Sequence, residues 1–97
     1  MEIKWAIEAQ KDYHKSIEYW EEHNGTFDYS LKIIQAVEKL EAELSQSPIY
    51  FGRYSKKLKL YVRPILKGRF LVYFDIDETK NVIEIVYFKT PNQKHLE

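Results

Sequence analysis

Cysteine is absent from all 97 residues, so neither a disulfide framework nor a thiolate zinc site can be built. Glycine occurs only at 25, 52 and 68, which rules out a glycine-rich loop of the kind that cradles phosphate. The three histidines, His14, His23 and His95, form neither an H-x-x-x-H nor an H-E-x-x-H spacing; no metal and no cofactor is expected. Ser55, the serine outside the expected helices, has no histidine near it in sequence, so a nucleophilic triad has no support. No apolar run approaches the roughly 20 residues that span a bilayer, and Met1-Glu2-Ile3-Lys4 does not open a signal peptide. The expectation is a soluble, cytoplasmic chain with no membrane partner. Its 44% hydrophobic and 15% aromatic content suits one packed domain over 1–97.

The strongest pattern is Gly68 to Thr90: GRFLVYFDID, a polar turn ETKN, then VIEIVYFKT. Two runs of β-branched and aromatic residues around a short charged link read as an antiparallel hairpin. Strict alternation places Phe70, Val72, Phe74 and Ile76 on one face and Arg69, Leu71, Tyr73 and Asp75 on the other. In the second strand Ile83, Ile85 and Tyr87 oppose Val82, Glu84, Val86 and Phe88. Neither strand has a wholly polar face, so both are expected at the centre of a sheet. Asp75, Asp77 and Glu78 fit a polar turn better than a cation site.

Glu2 to Trp5 is a short candidate strand. From Ile7 the period changes to 3.6, and Ala9, Tyr13, Ser16, Ile17 and Trp20 predict a helix to His23, closed by Asn24-Gly25. Thr26 or Asp28 can cap a second helix with the stripe Phe27, Leu31, Ile34, Val37, Leu40 and Leu44, ended by Ser47-Pro48. Ile49 to Lys56 reads as an irregular loop. Lys57 to Arg63 alternates as a strand, with Leu58, Leu60 and Val62 inward and Lys57, Lys59, Tyr61 and Arg63 outward. Pro64 to Gly68 turns into the hairpin, and the tail from Pro91 is polar. The fold class expected is α+β: an N-terminal strand, then a two-helix antiparallel hairpin on one face of a mainly antiparallel four-stranded sheet.

Zero formal charge conceals an asymmetry. Residues 1–47 hold ten acidic and five basic residues and 48–97 the reverse, so the halves carry about −5 and +5. Arg53, Lys56, Lys57, Lys59, Arg63, Lys67 and Arg69 follow one another with no acid between them. Such a run attracts a polyanion or an acidic protein segment, or else serves as a solvated strand edge that resists aggregation. On the face away from the helices Lys57, Lys59, Tyr61, Arg63, Arg69 and Tyr73 are expected to converge. Cations there would neutralise phosphates or carboxylates, and rings would stack on bases. Cross-strand packing is the competing role for Tyr73 and Tyr87.

The order of elements resembles the RelE/ParE superfamily, toxins of bacterial type II toxin–antitoxin modules, also called plasmid stabilisation proteins. Ile3-x-Trp5-x-x-x-Ala9-x-x-Asp12 with Ile17 and Tyr19 is similar to the family's opening. Leu40 to Leu44 with Ser47-Pro48 and Gly52 resembles its second-helix end and loop. Gly68 to Tyr73, Ile76-Asp77 and Ile83 to Thr90 resemble its last strands. The resemblance implies a cognate antitoxin as partner and either DNA gyrase or the ribosome with its mRNA as target, with the oligomeric state left open. In mRNA-cleaving members, basic residues on the open sheet face do the chemistry. The equivalent set here would be Arg63 and Arg69 as cations, with Tyr87 or Lys59 moving protons. The arginine expected just after position 69 is Phe70, and another expected near Thr90 or Pro91 is missing. The ParE-like branch, which poisons gyrase without cutting RNA, demands less at these positions. A binding module that keeps the fold without toxicity is the third reading.

Overall fold

In the computed structural model, residues 1–24, 27–46 and 53–91 are described. Glu2–Trp5 forms β1, Ile7–Asn24 α1, Asp28–Gln46 α2, Arg53–Ser55 β2, Leu60–Ile65 β3, Phe70–Asp77 β4 and Val82–Lys89 β5. The strands make one sheet in the order β1-β5-β4-β3-β2. β1 runs parallel to β5, and the other neighbours are antiparallel. The hairpin partners β4 and β5 are therefore interior strands, as their two-sided hydrophobicity requires. The sheet has five strands and is mixed, not four: Arg53–Ser55, inside the stretch read as loop, pairs with β3. The expected stops at Gly25, Ser47-Pro48 and Gly52, the possible cap at Thr26 and the tail beyond Pro91 lie outside the described residues. No described helix is long and apolar enough to cross a membrane.

Both helices cover one face of the sheet. Ala9 from α1 and Ile33, Val37, Leu40 and Leu44 from α2 close over Ile65, Phe70, Val72, Phe74, Ile83, Ile85 and Phe88. Burying each large side chain contributes about 1.5–3 kcal/mol, so this layer is the principal source of stability. The buried stripe of α2 is Ser30, Ile33, Val37, Leu40 and Leu44. Of the expected stripe, Val37, Leu40 and Leu44 are buried, but Phe27 and Leu31 are 71% and 51% exposed. A helix with apolar residues on two flanks offers two phases, and the one used tolerates Ser30 in the buried stripe because its hydroxyl donates to the Phe27 carbonyl at 3.0 Å.

Two further corrections follow from the pairing. Between Tyr73 and Phe74 the register to β5 slips from Tyr87 to Ile85, so Val86 is an extra residue in a β-bulge. Beyond it the alternation reverses: Phe88 joins Ile83 and Ile85 under the helices, while Tyr87 turns to the other face. The faces of β3 are also opposite to expectation. Tyr61 and Ile65 pack under the helices, and Leu60 and Val62 form a second cluster with Tyr73 on the helix-free face, flanked by Leu58, Leu71, Val86 and Tyr87.

Candidate functional site

The six residues expected to converge are distributed over three places. Lys57 and Lys59 are not in a strand; they lie exposed in the four-residue turn between β2 and β3. That turn is held by the Lys59 amide donating to the Ser55 carbonyl at 2.8 Å and the Leu58 amide donating to Ser55 Oγ at 3.3 Å. Tyr73 sits beside them in the helix-free cluster, edge-on to Tyr87 at 5.9 Å between ring centroids. Tyr61 and Arg63 face the helices instead. Tyr61 stacks on Phe74 at 5.5 Å and meets Tyr54 edge-on at 5.0 Å. Arg63 reaches α2, where its guanidinium lies 3.1 Å from Glu43. Arg69 is at the far end of β3, after the turn into β4, with its guanidinium 5.6 Å from the centre of the Tyr29 ring.

Arg63, Arg69 and Tyr87, the set a nuclease would use, thus occupy the α2 side, the β3–β4 turn and the opposite sheet face. Phe70, where an arginine was expected, is 1% exposed and stacks on Phe88 at 5.1 Å, so the position belongs to the core. Among the described residues no group of His, Asp or Glu is arranged to hold a metal ion.

Arg69 belongs to a cleft of ≈ 750 Å³ between the middle of α1, the start of α2, the β3–β4 turn and the end of β5. Lys15, Lys67 and Arg69 supply its charge; Tyr19, Trp20 and Tyr29 supply its rings. Its carboxylate, Asp12, is neutralised by Lys89 at 2.7 Å. Trp20 meets Tyr29 edge-on at 4.6 Å and Tyr19 at 5.2 Å, and His23 stacks on the outer side of this group at 3.8 Å from Tyr19. The Tyr29 hydroxyl is buried with no hydrogen-bond partner among the described residues. The turn that presents Lys67 and Arg69 is unusual: Leu66, Lys67 and Gly68 have φ of 50°, 56° and 84°. Two amides close it, Gly68 to Ile65 at 3.1 Å and Arg69 to Leu66 at 3.2 Å, making one left-handed turn. Of the cleft's cations only Arg69 was picked out from sequence as a site residue. The adjacent Tyr19-Trp20 pair on α1 and the Lys67-Gly68-Arg69 step were the signals that could have found the rest.

No family model matches the chain, and no curated protein matches it by sequence. Among solved structures, a chain described as "Chromosomal ParDE TA system from P. aeruginosa" matches with a TM-score of 0.76 over 93% of this chain and 95% of that one. The two share one fold. At 20% identity the ParDE chain is alike in architecture and not in detailed side chains. The likeness covers almost the whole ParDE chain, so the helical pair and the sheet behind it are common to both.

Proposed function

We propose that this chain is the toxin of a bacterial type II toxin–antitoxin module, acting in the cytoplasm by binding and kept inactive by a cognate antitoxin. The observation that carries the reading is the full-length fold shared with the ParDE chain. Within that module type, a ParE-like action on a nucleic-acid-associated protein such as DNA gyrase suits the residues better than RNA cleavage. Ribosome-dependent cleavage needs cations and a proton-transfer group around one phosphate. Arg63 is paired with Glu43, Arg69 lies over Tyr29 of α2, and Tyr87 packs in the cluster on the helix-free face.

The helix-free face is the antitoxin surface in this reading. Leu58, Leu71, Val86 and Tyr87 are half-buried there, around buried Val62 and Tyr73, and Lys57 and Lys59 stand at its rim. An acidic amphipathic segment would cover the apolar residues and meet the lysines. Induction of the chain alone should stop growth, and co-expression of the adjacent reading frame should restore it. Purified protein should then inhibit gyrase supercoiling and leave ribosome-bound transcripts whole. Unimpeded growth refutes the toxin assignment, and cut transcripts replace the gyrase reading with the nuclease one.

A further inference from the structure

The cleft between α1, α2 and the β3–β4 turn lies apart from the helix-free face and is unused by the toxin reading. We propose that it binds a nucleoside phosphate, with the phosphate on Lys15, Lys67 and Arg69 and the base against Tyr19 and Trp20. Three observations combine. Lys15, Lys67 and Arg69 take part in none of the ion pairs among the described residues, while the cleft's one acid, Asp12, is already matched by Lys89. The site therefore has a surplus of cation that an anion would offset. Its rings lie beside that charge, and an aromatic ligand carrying phosphates satisfies both features where a simple anion satisfies only one. The volume of ≈ 750 Å³ falls within the range of small-ligand sites.

The backbone supports the same assignment. Leu66 and Lys67 are L-residues held left-handed, a conformation usually left to glycine or asparagine. Left-handed residues close the other hairpin turns as well, at Lys59 and Asn81, and here the turn geometry brings Lys67 and Arg69 to one rim. Arg69 lies over the Tyr29 ring, with its guanidinium 5.6 Å from the ring centre, and a guanidinium can make two-point contact with a phosphate.

Trp20 lines the cleft and Trp5 does not, so the full-length chain carries its own reporter. ATP, ADP, AMP and adenosine are titrated while indole fluorescence is followed, with calorimetry as an independent measure. Saturable quenching that strengthens from AMP to ATP, is lost for adenosine, and disappears in Trp20→Phe is expected. Arg69→Gln should weaken ADP binding by about tenfold or more, and Lys67→Gln, in an exposed turn, by a few fold. Tyr19→Leu should weaken ADP and leave pyrophosphate unchanged. Lys80→Gln, beyond the eight-residue β4 at about 26 Å, should leave ADP binding unchanged. A 5′-phosphorylated trinucleotide binding more tightly than AMP assigns the site to the end of a strand, and the reverse order assigns it to a free nucleotide. No saturation, pyrophosphate binding as tight as ADP, or displacement of ADP by a poly-glutamate peptide at equal charge overturns the proposal. Growth arrest is read separately, so failure here leaves the toxin assignment untouched, and failure there leaves the nucleotide site standing.

Discussion

Arg63 and Glu43 form a pair whose side chains are 28% and 22% exposed, and one Glu43 oxygen is buried without hydrogen-bond geometry to any described partner. Removing the cation alone leaves that carboxylate poorly solvated, whereas removing both charges does not. Arg63→Ala is expected to cost about 1–2 kcal/mol in urea unfolding, after allowance for the remaining exposure, and Arg63→Ala with Glu43→Ala clearly less than the sum of the single changes. A loss of toxicity in Arg63→Ala would then be read as lost fold unless the double variant is also inactive. At Tyr13, burial first and then the charges of Glu41 and Glu38 push the phenol above its usual 10.0. The folded state thus favours the neutral ring. Its contribution to stability is whole below the unfolded value of about 10 and is lost as pH rises through the higher folded value. Melting temperature should fall more steeply above about pH 10 in the parent than in Tyr13→Phe; equal slopes would contradict this.

Elements show where alternation alone informs and where it fails. The β4–β5 hairpin, both helices and β1 are readable because hydrophobic period sets element type. The face a strand turns to the helices is not set by period: alternation alone puts Leu60 and Val62 toward the helices and Tyr61 and Arg63 away, the reverse of the structure. Nor does period reveal Val86 as a bulge, since it is as apolar as its neighbours. The candidate site depended on those faces, so only Lys57, Lys59 and Tyr73 ended near one another. In α2 the chosen phase predicts that Ile33→Ala costs about 2–4 kcal/mol while Leu31→Ala stays within about 0.5 in chemical denaturation. At the left-handed turn, a Cβ on Gly68 would meet nothing within 4 Å, yet φ is +84°. Gly68→Ala should therefore destabilise by about 1 kcal/mol through backbone alone, and Lys67→Gly should stabilise by up to about 1 kcal/mol. If both variants melt with the parent, the turn is not strained.

Over the whole molecule, the acid-rich first half supplies β1 and the helical layer, and the base-rich second half supplies the rest of the sheet and its turns. The helical layer is therefore the acid-rich one, although Arg63, Lys67 and Arg69 reach it from the sheet and its turns, while Lys57 and Lys59 mark the rim of the other face. A partner approaching the helix-free face meets Lys57 and Lys59 at its rim before it reaches Leu58, Leu71 and Tyr87. Attraction acts over about 10 Å at 0.1 M salt, whereas the apolar contacts act only on touching. For the acidic antitoxin proposed above, charge should consequently govern how fast it arrives, and packing how long it stays. In stopped-flow and dissociation measurements on the antitoxin pair, raising salt from about 0.05 to 0.5 M should slow association severalfold or more and alter dissociation little. Lys57→Glu with Lys59→Glu should reproduce the slow association at low salt, and Leu71→Ser should leave association fast while shortening the complex's lifetime. Were the double charge reversal to act on dissociation alone, the partner would not enter over the β2–β3 turn, and the antitoxin surface would have to be sought on the acidic side.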